Sequence, residues 1–117
     1  MLSEKHDYSD KTIFSENSHC NVDILCGRLA EMNTFRAKIK KYSREGIYYE
    51  SEEYVEKGTM IFYKIQNLIK WMADPQAGKD MRTAALAEVE NCREIEKEGF
   101  YRYGTNVRYY KKNIPLQ

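Results

Sequence analysis

A chain of 117 residues with 19 basic and 18 acidic side chains, formal charge +1, excludes two cores of ordinary size. It also excludes a whole-molecule field that would draw it to nucleic acid or an anionic membrane, so any anion site must be local. The longest apolar stretch, Met60-Ile61-Phe62-Tyr63, is interrupted by Lys64, far short of the roughly 20 residues that a membrane helix needs.

The start, Met1-Leu2-Ser3-Glu4-Lys5-His6-Asp7, has no basic segment followed by an apolar one and does not read as a secretion signal. A soluble chain in the cytoplasm is the expectation. Cys20, Cys26 and Cys92 are odd in number and lack a pattern of spacing, so free thiols in a reducing compartment are expected rather than a disulfide framework. Ten tyrosines, four phenylalanines and one tryptophan suit a pleated, half-buried surface and tilt the composition towards sheet.

Residues 1–19 are polar apart from Ile13 and Phe14 and predict a flexible arm able to cover a ligand. Cys20, Val22, Ile24 and Cys26 then recur at every second position, the period of a half-buried strand, and Gly27 is expected to turn the chain. The cleanest alternation is Phe35, Ala37 and Ile39 against Arg36, Lys38 and Lys40, because a strand sends successive side chains to opposite faces. Residues 47–50 and 59–65 read as two more strands. The polar link with Glu56-Lys57-Gly58 allows them to be joined as a hairpin.

Leu68, Ile69, Trp71 and Met72 predict a helical turn, while Pro75 and Gly78 predict a long loop, so 68–80 is a loop or short helix inserted between strands. Leu86, Val89 and Cys92 recur at helical spacing among good helix formers, and the residues alone predict a helix over 83–95. The alternation from Tyr101 to Tyr110 predicts a long last strand, with Glu98-Gly99 as a turn before it.

The stretch Tyr42-Ser43-Arg44-Glu45-Gly46-Ile47-Tyr48-Tyr49-Glu50-Ser51, followed by Gly58-Thr59, resembles the core of PilZ domains. In that family a serine and a glycine three residues on precede a short apolar strand, and Gly-Thr opens the next. Ala87 to Cys92 followed by Tyr101 to Tyr109 is similar to the family's closing hairpin, so the resemblance spans roughly residues 20–110.

The resemblance implies a mainly β fold, a six-stranded antiparallel barrel over 20–112 with a tail at 113–117, and a strand in place of the helix over 83–95. It also implies a receptor for the bacterial second messenger cyclic di-GMP, gripped by an N-terminal Arg-x-x-x-Arg and by the serine motif. Arginine suits that task because its planar fork matches phosphate and guanine acceptors and stacks on bases.

Two departures bear on the ligand. No arginine precedes Arg28, and Lys41 stands where the motif has Asp or Asn, which puts a donor in place of an acceptor for a guanine edge. Charge-assisted hydrogen bonds contribute roughly 1.5–3 kcal/mol each, so losing several weakens binding by orders of magnitude. Against this, Arg36, Lys38, Lys40, Lys41 and Arg44 crowd one stretch facing a ligand with two phosphates. The expected nucleotide-binding set is Arg36, Lys41, Ser43, Arg44 and Gly46.

Each feature also has a plainer account. Ser43 and Gly46 serve equally as an ordinary bend, and alternating lysines equally protect a strand edge. Tyr101, Tyr103 and Tyr109 fit core packing better than the base stacking of a single-strand nucleic-acid binder. Trp71 is either a partner anchor or a lid. His19, Cys20 and Cys26 lack the paired spacing of a zinc site, and no nucleophile, base and orienting group assemble into a catalytic set.

The expectation is therefore a cytoplasmic signalling adaptor, not an enzyme, without a metal or DNA. It would act through a downstream protein partner, since no output domain is attached. The alternative is a nucleotide-independent protein-protein interaction module that docks by an exposed strand edge or the Trp71 loop.

Overall fold

The computed structural model describes residues 18–73, 81–95 and 101–110. Period-two alternation is the physical origin of the sheet, and the described residues form six strands and one short helix: β1 Ser18–Arg28, β2 Thr34–Tyr42, β3 Gly46–Ser51, β4 Met60–Ile65, α1 Leu68–Ala73, β5 Ala84–Glu94 and β6 Tyr103–Tyr109. All neighbours pair antiparallel in the order β1-β2-β3-β6-β5-β4, and β4 pairs back onto β1 through Ile24↔Ile65 and Cys26↔Tyr63. The sheet is thus a closed barrel, the architecture that the family resemblance implied.

Every strand contributes its apolar face to the interior. Ile24, Ile39, Ile47, Tyr49, Ile61 and Val107 are 0% exposed, and each such side chain contributes about 1.5–3 kcal/mol by leaving water. On β2 the expected split holds, with Ala37 and Ile39 buried and Arg36 exposed.

Bulges modulate the alternation. Between Ile39 and Lys41 the register of β2 on β3 slips by one residue, so Ile39 and Tyr42, three apart, both face inward while Lys40 and Lys41 stay partly exposed. An extra residue in one strand has this effect by locally breaking the two-residue repeat.

The same device explains the segment that mimics a helix. Residues 84–94 form β5 rather than a helix, and the register of β5 on β6 slips between Val89 and Asn91. Val89 and Cys92 therefore both meet the core at a spacing of three, which a residue count alone cannot distinguish from a helical face.

Two local expectations need correction. Gly27 does not turn the chain: it lies inside β1, opposite Thr34 and Phe62, where an added Cβ would sit 2.5 Å from the Phe62 ring and 2.8 Å from Asn33 O. Glycine is there for close approach, and the turn comes later, with Met32 at φ 63°. Strands β3 and β4 do not form a hairpin either, since β3 pairs with β2 and β6 while β4 pairs with β1 and β5. The link between them makes a turn at Gly58 with φ 90°, and closing the barrel gives each strand other partners.

Closure also removes the free edge. Docking by an exposed strand edge, and the edge-guarding account of the β2 lysines, lose their basis in this barrel. The insertion does contain a helix, α1, from which Trp71 packs on the core. Ser18 and His19 belong to β1, whereas the rest of the expected arm, Pro75, Gly78, the turn at Glu98-Gly99 and the tail lie outside the described residues.

One end of the interior is closed by tyrosines. The Tyr63 hydroxyl donates to Arg82 O at 2.9 Å and lies 3.1 Å from the Tyr109 hydroxyl, with the Arg82 guanidinium 4.5 Å from the Tyr109 ring centre. The Tyr49 hydroxyl, by contrast, is buried with no hydrogen-bond partner among the described residues. Tyr63→Phe is accordingly expected to cost about 1–2 kcal/mol in denaturant unfolding, and Tyr49→Phe to leave stability unchanged or raise it. Equal losses at the two sites would contradict this difference in pairing.

Candidate ligand-binding site

The bend between β2 and β3 is built by its own residues. Ser43 N donates to Gly46 O at 2.9 Å, closing the turn. Glu45 N donates to Ser43 Oγ at 3.1 Å, the local side-chain bond that makes serine a turn former, and the same hydroxyl lies 3.1 Å from Glu45 Oε1. Ser43 is 4% exposed. Its hydroxyl is occupied in holding the bend.

Gly46 is required by its neighbour across the sheet. A Cβ there would fall on Val107 O and lie 2.9 Å from Arg108 Cα, so β3 and β6 approach closely only because position 46 lacks a side chain. Both motif residues thus have a structural task that operates with or without a ligand.

The cations are placed around this bend unequally. Arg44, at its tip, is exposed. Lys41 stands at the end of β2 with its ammonium 5.8 Å from the centre of the Tyr48 ring, within cation–π range. Lys40 is held on the β1 side, donating to Asn21 Oδ1 at 2.6 Å, and Lys38 pairs with Asp23 at 3.0 Å. Arg36 is exposed five positions up the strand from Lys41, about 17 Å away at the rise of an extended chain. The fold therefore gathers Lys41, Ser43, Arg44 and Gly46 and leaves Arg36 apart.

Beside the bend, the outer wall of β3, β6 and β5 carries a polar strip that sequence inspection passed over. Tyr48 lies across Gly104, whose missing Cβ makes room for the phenol ring, and its hydroxyl is 3.5 Å from Glu50 Oε2. Asn106 donates to Asn91 Oδ1 at 3.2 Å, and Arg108 Nε donates to Glu90 at 3.0 Å. Glu50 is 7% and Asn106 3% exposed, low values for polar side chains on an outer face. Alternation in β3 puts Tyr48 and Glu50 opposite Ile47 and Tyr49, but pairing with β6 is a long-range fact that no local pattern contains.

Arg108 of this strip is paired with Glu90 and Glu50 adds a second carboxylate, so charge for an anion comes from Lys41 and Arg44 of the bend. The shifted groups of the barrel interior, Cys20, Cys26, Tyr49 and Tyr63, are not activated nucleophiles. Burial pushes the Cys20 thiol up to about 11 against a partial offset from Lys40. It drives Cys26 far higher and lifts the Tyr49 and Tyr63 hydroxyls well above the usual phenol range. No group of three or more metal-ligating side chains occurs among the described residues.

The thiol shifts fix a pH dependence. Cys20 and Cys26 keep their protons in the folded chain above the ordinary thiol value of 9.0, so the folded state binds more protons than the unfolded one there and stability falls as pH rises. Urea midpoints are expected to be flat from about pH 7 to 8.5 and to drop from about 9 to 11. A rise over that window would contradict the burial of these thiols.

Among the described residues no helix is long and apolar enough to cross a membrane. No family model matches the chain, and no curated protein matches it. The chain is a closed six-stranded antiparallel barrel with a serine–glycine bend joining β2 to β3.

Proposed function

We propose that this protein is a PilZ-type signalling adaptor that takes cyclic di-GMP weakly at the β2–β3 bend and passes the signal to a protein partner. The observation that carries the proposal is the placement of Lys41, Ser43, Arg44 and Gly46 on one bend of a closed barrel, next to the Tyr48 ring. Arg44 supplies charge for a phosphate, and the bend offers backbone groups to a guanine edge beside Lys41. Binding is weak because the N-terminal Arg-x-x-x-Arg is absent and Lys41 replaces an acceptor by a donor.

Isothermal titration tests this. Saturable heat with a dissociation constant of about 10 µM or weaker is expected, since the lost contacts are each worth about 1.5–3 kcal/mol. Arg44→Ala is expected to weaken binding about tenfold, and Lys41→Asn, which restores an acceptor, to tighten it by a similar factor. A folded sample that gives no heat at about 500 µM ligand would eliminate the receptor function.

A second reading has a specific observation in its favour. Leu68, Ile69 and Met72 of α1 are 42%, 83% and 67% exposed, an apolar surface of the kind that protein partners cover. On that reading the chain is an interaction module whose output needs no nucleotide, and deleting the bend's charges leaves partner capture unchanged.

A further inference from the structure

The outer faces of β2, β1 and β4 form a wall whose side chains stand in rows set by the strand register. In one row Leu25 of β1 lies opposite Arg36 of β2 on one side and Lys64 of β4 on the other. In the next, Gly27 lies opposite Thr34 and Phe62. The spacing of paired strands puts the backbones of Arg36 and Lys64 about 10 Å apart, with Leu25 between them. Arg36 and Lys64 are exposed, whereas Leu25 and Phe62 are half-buried.

Charge on this wall is one-sided. Lys38 and Lys40 continue the line of Arg36 along β2, and Asp23 is the one carboxylate on the three outer faces among the described residues. Asp23 pairs with Lys38 at 3.0 Å. Lys40 donates to the neutral Asn21 Oδ1 at 2.6 Å, which leaves its charge uncompensated. Arg36 and Lys64 have no ion pair among the described residues. A closed barrel has no edge for these cations to guard. Uncompensated cations around half-buried apolar side chains are the complement of an acidic partner.

We propose that this wall docks an acidic segment of a partner protein. An apolar side chain of the segment seats on Leu25 and Phe62, and carboxylates on either side of it reach Arg36 and Lys64. The inference names the chemistry of the partner and rests on the adaptor reading above for its role in signalling. A bilayer fits less well, because nothing apolar on the wall stands above the cations to enter it. A nucleic-acid strand also fits less well, because the wall's one ring, Phe62, lies down over Gly27, and bases need an exposed ring to stack on.

The probe is a fluorescein-labelled peptide that repeats glutamate, serine, leucine and serine, since an extended chain puts its glutamates and leucines on one face. Fluorescence anisotropy at low salt, without nucleotide, is expected to give saturable binding with a dissociation constant of about 100 µM or tighter. High salt is expected to weaken it at least about tenfold. Arg36→Ala and Lys64→Ala are each expected to weaken it about fivefold to tenfold, and a peptide with serine in place of leucine to bind at least about fivefold more weakly. Lys57→Ala, exposed in the turn before β4, leaves binding unchanged.

The proposal is overturned if about 1 mM peptide produces no saturable change, or if Arg36→Ala and Lys64→Ala both bind as the wild type does. It is equally overturned if phosphatidylserine vesicles or an oligothymidylate strand bind more tightly than the peptide through the same two residues. Both side chains are exposed on an outer face, so their removal does not threaten the fold. Titration of cyclic di-GMP into the Lys64→Ala protein is expected to match the wild type, which keeps failure at this wall distinct from failure at the bend.

Discussion

Gly46→Ala is expected to destabilise the barrel by about 3 kcal/mol or more, read as a shift of the urea midpoint. The new methyl group has no side chain to push aside. It meets the main chain of β6, falling on Val107 O and lying 3.0 Å from Val107 C. Relief therefore requires β3 and β6 to separate along the ladder that runs from Gly46↔Arg108 to Ser51↔Tyr103. A loss of nucleotide binding in this variant consequently reports on the fold and not on a ligand contact. If Gly46→Ala unfolds at the wild-type midpoint, the close approach of β3 and β6 described above is wrong.

The second large effect is expected at the closing seam. Ile24 is 0% exposed and stands opposite Ala37 on one side and Ile65 on the other, so its side chain fills the interior where β1 joins the two ends of the sheet. Ile24→Ala is expected to cost about 2–5 kcal/mol, the transfer of the lost methyl groups plus the cavity they leave. A domain stable by only about 5–15 kcal/mol loses a large share of its margin in that one change. Ile69→Ala provides the contrast. Ile69 is 83% exposed on α1, and the same chemical change there is expected to stay within about 0.5 kcal/mol. Comparable losses at both positions would mean that β1 does not close the sheet.

These contrasts show how much of the fold was legible in residues and where legibility ended. The half-buried faces of β1 and β2 follow from alternation alone, because each face of the strand keeps one environment, interior or solvent, along most of its length. In β5 the rule fails at one place. The slip beside Asn91 restores Cys92 to the core after three residues, and only the pairing with β6 distinguishes that from a helix. Gly27 looks like a turn in the sequence for a similar reason: glycine marks close approach as well as bending, and the Phe62 ring that takes the space comes from another strand.

The candidate site was legible to the same depth. Lys41, Ser43, Arg44 and Gly46 are contiguous, and a bend keeps contiguous residues together. Arg36 was grouped with them by sequence proximity, but an extended strand carries it away from the bend. The outer wall of Tyr48, Glu50 and Asn106 was invisible because it unites β3 and β6, more than fifty residues apart in the chain.

The most direct test of the proposed function is an amide chemical-shift titration of the isotopically labelled chain with cyclic di-GMP. Saturable shifts clustered on residues 41–46 and on Tyr48, with the Trp71 indole resonance unmoved, are the predicted result. Saturation without movement at the bend, or no movement anywhere in a folded sample at about 500 µM ligand, would contradict it.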